Sequence, residues 1–318
     1  MNKLLILLLL PACLFAQSAK YKQAVALFDQ EKYGQAKPLF AALLKDNPDD
    51  DKAREYMGDI VAQAKDWEGA SEYYEVLVKK HPENANYHFK YGGSLGMLAL
   101  SVNKFRALTM IDDIKEHFGK AAELDPTHIE ARWALVEFYL QLPAIVGGSE
   151  KKAQKYADEL MKLSPVDGYL ANGYIAEHYD RDNETERFYK KAVEIGRSPH
   201  TYEKLTEHYE KKGNPEKALA TAQESHALNE YNLTNYQIGR ITAEYNLKSE
   251  LGITSLKRFI KNHTVKDRVP LDWAYLRLAQ IYKNMGNKAS ATHYIDMALL
   301  QRPDFEEALD EKEQIKKL

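Results

Sequence analysis

The sequence predicts an all-α protein assembled from stacked antiparallel helix pairs, and three observations carry that prediction. Apolar-periodic segments end before prolines set one repeat length apart, Pro48 and Pro82 being separated by 34 residues. Within these intervals a small residue and then an aromatic recur at helical spacing, the pattern of helices that approach closely and fill the remaining gaps with large side chains. Of 318 residues 44% are hydrophobic, while 47 acidic side chains nearly balance 44 basic ones. A long packed core is therefore within reach, and no single-sign field points toward nucleic acid.

The chain opens with Met1-Asn2-Lys3, an apolar run from Leu4 to Leu10, and then Pro11-Ala12-Cys13-Leu14-Phe15-Ala16-Gln17. Charge, apolar run and small residues in that order are those of an export signal, assigned to residues 1–16, and the run is too short to span a bilayer. Two processing routes fit. Ala16 suits ordinary cleavage before Gln17, whereas Leu10-Pro11-Ala12-Cys13 is similar to a bacterial lipoprotein box and would leave a lipid anchor on Cys13. Pro11 inside the box and the late onset of polar sequence favour the first. The expected location is outside the cytoplasm, in the periplasm or associated with the cell envelope. Cys13 is the single cysteine, so no disulfide staples the chain and stability has to come from packing. No later apolar stretch reaches membrane-spanning length, Leu95 to Val102 being the nearest.

Residues 17–303 divide into about eight helix pairs. The pair before Pro48 holds Tyr33, Ala36 and Phe40; the pair before Pro82 holds Met57-Gly58, Trp67, Ala70 and Tyr74. The next, with Phe118, Ala121 and Asp125-Pro126, ends 44 residues after Pro82, and its ten extra residues are placed in a longer hairpin around Met97 to Met110. The interval to Pro165 is 39 residues, and the excess falls in the loop Pro143-Ala144-Ile145-Val146-Gly147-Gly148-Ser149. The pairs around Tyr174 to Ile195 and Ile238 to Ile260 are the least regular. Between them Tyr202, Leu205, Tyr209, Gly213, Ala218 and Leu228 make a clear copy, in which Asn214-Pro215-Glu216 reads as an N-cap, a first-turn proline and a dipole-favoured acid. The last pair is the most regular, with Tyr275, Leu278-Ala279 and Tyr282, then Gly286, then Ala291, Ile295, Ala298-Leu299 and Pro303. Residues 304–318 are charged and form a helix suited to cap the open end.

These residues resemble the tetratricopeptide-repeat family, whose unit is a 34-residue helix pair. The resemblance implies a superhelical α-solenoid with a concave wall. In that family positions two, five, nine, twelve and thirteen of each first helix face the concave side. Carried onto this chain they give Phe89 and Met97, Trp133, Glu137 and Gln141, Tyr169, Asn172, Tyr179 and Asp180, Glu203 and Glu207, Tyr236 and Arg240, and Trp273 and Gln280. Aromatic rings beside amides and charges offer large contact area at small entropic cost. The acids Glu137, Asp180, Glu203 and Glu207 would favour a basic or amide-rich segment. A shorter stretch, Asp125-Pro126, Phe138-Tyr139, Leu142-Pro143, Gly147-Gly148 and Lys152-Ala153, resembles the T-component proteins associated with some periplasmic TRAP transporters.

Catalytic machinery is not visible. None of the ten histidines has the His-Glu-x-x-His spacing of a metal site, and His178, Asp180 and Asp182, two apart, cannot share one helix face. Gly92, Gly93 and Gly96 lack the ending of a phosphate loop and read as close helix packing. No cofactor or metal is expected. The leading reading is a non-catalytic exported scaffold that binds a protein or peptide segment of the cell envelope in its concave groove. The alternative is a periplasmic ligand-binding carrier acting beside a transporter, suggested by the Pro143 to Ser149 loop and the longer hairpin near Met97. An enzyme is the remaining class.

Overall fold

A computed structural model describes residues 19–318; the expected export signal lies outside the described residues. Among them there are 17 α-helices and no strand, in two compact units. The N-terminal unit, to Leu163, holds α1 (19–29), α2 (Tyr33–Asp46), α3 (Asp51–Gln63), α4 (Trp67–Lys80), α5 (Ala85–Ser101), α6 (Lys104–Leu124), α7 (Ile129–Gln141) and α8 (Glu150–Leu163). The C-terminal unit begins at Ser164 and holds α9 (Pro165–His178), α10 (Asp182–Gly196), α11 (Pro199–Lys211), α12 (Pro215–Asn229), α13 (Asn232–Glu244), α14 (Ser249–Lys261), α15 (Leu271–Asn284), α16 (Lys288–Gln301) and α17 (Glu306–Lys316). In each unit consecutive helices pack as pairs and the pairs stack on one another. α17 closes the last pair, sinking Phe305, Ala308 and Ile315 into a core with Leu276 and Ile295.

In four of the pairs the close approach follows from a glycine on the first helix. A Cβ added to Gly58 of α3 would lie 2.6 Å from the Tyr74 ring of α4. At Gly173 it would meet the Tyr189 ring of α10 closer still, and at Gly239 the Leu256 side chain of α14. Gly92 of α5 sits in the same way against Phe118 of α6 at 3.1 Å. Each glycine lets a large side chain of the second helix lie directly on the backbone of the first, which sets the pair's closest approach. The expectation that Gly93 and Gly96 also serve close packing is corrected by the structure, since nothing lies within 4 Å of either.

Local signals start the helices. Asp50, Asp66, Asn84, Asn103 and Asn287 accept hydrogen bonds from backbone N–H groups three residues on. Asn214 occupies an N-cap with Pro215 behind it, but its side chain makes no capping bond and donates instead to the Lys212 carbonyl at 3.4 Å. Buried Arg132 of α7 clamps its neighbours, donating to Glu159 of α8 at 3.0 Å and to the carbonyl of Ala122, near the end of α6, at 3.3 Å.

Charged pairs join successive first helices. Lys90 of α5 reaches Glu55 and Asp59 of α3 at 2.7 and 2.8 Å; Arg240 of α13 reaches Glu210 of α11 at 2.7 Å; Arg277 of α15 reaches Glu244 of α13 at 2.7 Å. Glu186 of α10 gathers three partners, Lys190 at 2.8 Å, the Tyr209 hydroxyl at 2.9 Å and Lys217 at 3.3 Å, so that one carboxylate links α10, α11 and α12. Lys190 above all, with Tyr209 and Lys217, draws its pKa down to about 2. A carboxyl depressed in the folded state stabilises above its unfolded pKa, and that contribution is lost as pH falls toward the folded value. The protein should therefore lose ~1 kcal/mol of stability, after solvent screening, between about pH 4.5 and 2 through this group. Urea midpoints across that window should fall less steeply in Glu186→Gln than in the parent; equal slopes would show that the carboxylate carries no folding linkage.

Candidate functional site

The third and fourth pairs depart from the repeat. α5 has 17 residues and α6 has 21, against 13 or 14 in α3, α4, α7 and α8. Asn103 allows the extension, because its capping bond to the Arg106 N–H starts α6 just after α5 ends at Ser101. After α7 the chain folds back through a short 3-10 turn, Ala144–Val146. Gly147 takes a left-handed φ of 105° there, and a Cβ on Gly148 would collide with the Leu142 carbonyl. The turn is pinned by the Ser149 N–H donating to the Tyr139 carbonyl at 2.9 Å.

Together these features build an open groove of about 730 Å³ inside the N-terminal unit. One wall is α5, with Phe89, Gly93, Gly96, Met97 and Leu100. The facing wall is α6, with Lys104, Ala107, Leu108, Ile111, Ile114 and Phe118. α7 contributes Ala134, Glu137, Phe138 and Gln141, and Leu142, Pro143 and Val146 form the lip. Large apolar side chains stand exposed at and beside the rim: Leu100 is 78% exposed, Phe105 86% and Ile145 94%. Apolar surface gathered in this way on an otherwise charged protein marks a place where something binds.

Beneath the groove a histidine pair ties its two walls together. Buried His88 of α5 donates from Nε2 to the Pro82 carbonyl at 2.9 Å, which leaves its Nδ1 to accept from Nδ1–H of His117 of α6 at 2.8 Å. Burial, and then the charge repulsion of His88, hold the His117 pKa below the ordinary imidazole value. Among the described residues no group of three or more His, Cys, Asp or Glu is placed to hold a metal ion, and Asp182 pairs with Lys212 at 2.6 Å.

The residues expected on a binding wall fall into different environments. Phe89, Met97, Glu137 and Gln141 line the groove, and Phe89 lies 4.9 Å from the His128 ring. Trp133, one residue before the groove-lining Ala134, is half-buried. Tyr236 is a correction: only 8% exposed, it packs 5.4 Å from Phe259 inside the core of α13, α14 and α15, drawn there because Gly239 brings α14 close. Arg240 is committed to Glu210 and to Glu244 at 2.8 Å, and Trp273 packs on Phe305 at 4.7 Å. Tyr169 faces Phe188 of α10 at 6.5 Å, and the Asn172 amide donates to the Gly168 carbonyl at 2.8 Å.

Tyr179 and Asp180 lie past the end of α9. α9 ends at His178, so Tyr179 is its C-cap and Asp180 lies in the turn with a left-handed φ of 53°. The contact of Gly173 with Tyr189 aligns Gly173 with Gly58, each 16 residues before the ring that covers it. That alignment moves the expected wall positions of α9 two residues back, to Asp167, Leu170, Tyr174, Glu177 and His178. The α6 wall and the lip were not anticipated as site residues, although the ten extra residues signalled the longer hairpin.

Residues 21–93 match a tetratricopeptide-repeat family model. No curated protein matches the chain in sequence. Among solved structures, a tetratricopeptide repeat protein from Parabacteroides merdae ATCC 43184 is similar at 13% identity, over 94% of this chain and 98% of that one, with a TM-score of 0.52. Two others align with lower scores. YrrB, described as a repeat protein with an unusual peptide-binding site, shows 19% identity over 62% of this chain and 97% of its own, with a TM-score of 0.44. A thermophilic repeat protein from Thermus thermophilus shows 14% identity over 77% of this chain and 99% of its own, with a TM-score of 0.41. Residues 21–93 thus carry the family's repeats, and the chain shares the fold of stacked helix pairs with the Parabacteroides merdae repeat protein.

Proposed function

We propose that this protein is an exported, non-catalytic repeat scaffold that holds a segment of a protein partner in the groove between α5, α6 and α7. The observation that carries the reading is the groove itself. Elsewhere the large side chains of the helix pairs are mostly spent on stacking, whereas here three helices and a folded-back loop leave an apolar trough open to solvent. The repeat fold supports a protein partner rather than chemistry, because such folds expose extended surface. Export rests on the order of charge, apolar run and small residues over 1–16, and a lipid anchor at Cys13 is the other form of the same proposal. No helix among the described residues is long and apolar enough to cross a membrane.

Leu108 is exposed enough to change without emptying the core, and Leu108→Asp should reduce capture of the native partner from an envelope extract by at least about tenfold, equivalent to ~1.4 kcal/mol. Tyr179→Ala, in a turn of the C-terminal unit, should leave capture unchanged. If Leu108→Asp binds as the parent does while Arg240→Ala or Tyr179→Ala loses the partner, the working surface lies elsewhere. Recovery of the full-length chain solely in the cytoplasmic fraction of its native host would remove the export part.

A further inference from the structure

We infer that the occupant of the groove is an amphipathic α-helix of a partner protein, three to four turns long, which lays an apolar stripe between α5 and α6 and sets an acidic side chain against Lys104. This rests on the reading that the groove is the working surface and adds the shape and charge of what fills it.

The walls present what one helix ordinarily shows to another. On α5 the lining residues Gly93, Gly96, Met97 and Leu100 follow the spacing i, i+3, i+4, i+7; on α6 Lys104, Ala107, Leu108 and Ile111 repeat it. In a stack of pairs such stripes are covered by the next helix. Because α5 and α6 run longer than α7 and α8, their outer turns have no described helix of this chain to cover them, and Leu100 stays 78% exposed. One further helix would complete the layer.

The glycines point the same way. Gly93 and Gly96 weaken α5 by their backbone freedom, yet no atom of the described chain uses the space that they open. That space lets the backbone of an incoming helix approach α5 as closely as Tyr74 approaches Gly58.

The rim separates a helix from a small amphiphile. Phe105 and Ile145, next in sequence to the wall residue Lys104 and the lip residue Val146, are 86% and 94% exposed, apolar area beyond the trough itself that a helix is bulky enough to reach. Charge fixes one end. Lys104 has no ion pair or hydrogen bond among the described residues, while nearby Arg106 is already held by Glu68 at 2.6 Å. An acid on the partner's helix would neutralise this cation on the groove wall.

The test is selection of 16-residue displayed peptides against the full chain, with counter-selection on Gly93→Leu/Gly96→Leu, a variant that fills the groove from α5 while leaving its helix intact by circular dichroism. Groove-dependent binders should carry apolar residues at i, i+3, i+4 and i+7 with an acidic residue flanking the stripe. They should gain helical ellipticity on binding and bind Lys104→Glu at least tenfold more weakly. Groove-dependent binders that stay extended, or that ignore Lys104→Glu, would overturn the helix assignment and leave the groove reading standing. Saturable binding of dodecanoate, blocked by the double glycine variant, with no groove-dependent peptide found, would overturn the protein-partner reading as well and make the groove a small-molecule site. Absence of any groove-dependent peptide or dodecanoate binding would overturn both.

Discussion

In four of the helix pairs the closest approach is set where a large side chain of the second helix rests on a glycine of the first, and the packing of those pairs follows from that distance. Tyr74 on Gly58, Phe118 on Gly92, Tyr189 on Gly173 and Leu256 on Gly239 are four versions of one contact. Neither partner can change freely. A methyl group on the glycine meets a ring or an isobutyl group that has no space to retreat, and a smaller side chain on the second helix opens a cavity. The Tyr74 and Tyr189 rings are also anchored at their far ends, donating to Asp59 at 2.6 Å and to Glu177 at 3.2 Å. Burial, followed by those carboxylates, pushes both phenol pKa values well up, so the rings stay neutral donors.

The groove is the place where this rule is extended without being closed. Gly92 keeps the pair contact with Phe118, but Gly93 beside it and Gly96 one turn on present bare backbone, and the two helices run on past their neighbours. The same device that brings helices of one chain together is there left open to solvent. The lip formed by Pro143 and Val146 depends on Gly147 and Gly148, whose backbone geometry other residues would strain. The groove is therefore a product of inserted residues placed on an otherwise regular array.

Much of the fold was legible because the repeat is a local signal. A small residue at a fixed place, an aromatic sixteen residues later and a proline at the end can be found by spacing alone, and the pair with Gly58, Tyr74 and Pro82 shows them all. The site was legible only where the register was. Phe89 and Met97 are counted from Gly92, so their positions on the groove wall follow from the period. The α6 wall lies in residues that have no counterpart in a 34-residue unit, and periodicity is silent about inserted turns. In α9 the pair Asn172-Gly173 stands where the pattern prefers Leu-Gly, and the register slipped by two residues, which carried Tyr179 off the helix. Tyr236 was misplaced for a different reason: its outward or inward direction depends on how near α14 comes, a tertiary fact that no spacing in α13 encodes.

Paired glycine-to-alanine substitutions, read by urea unfolding, test this account most directly. Gly173→Ala puts a methyl group into the Tyr189 ring and should destabilise the protein by about 1–3 kcal/mol as an overpacked contact. Gly93→Ala, in the same kind of helix but with no atom within reach, should be neutral or stabilise by about 0.5–1 kcal/mol through the better helix propensity of alanine. Equal effects at the two positions, or a more stable Gly173→Ala protein, would contradict the claim that these contacts set the spacing of the helix pairs.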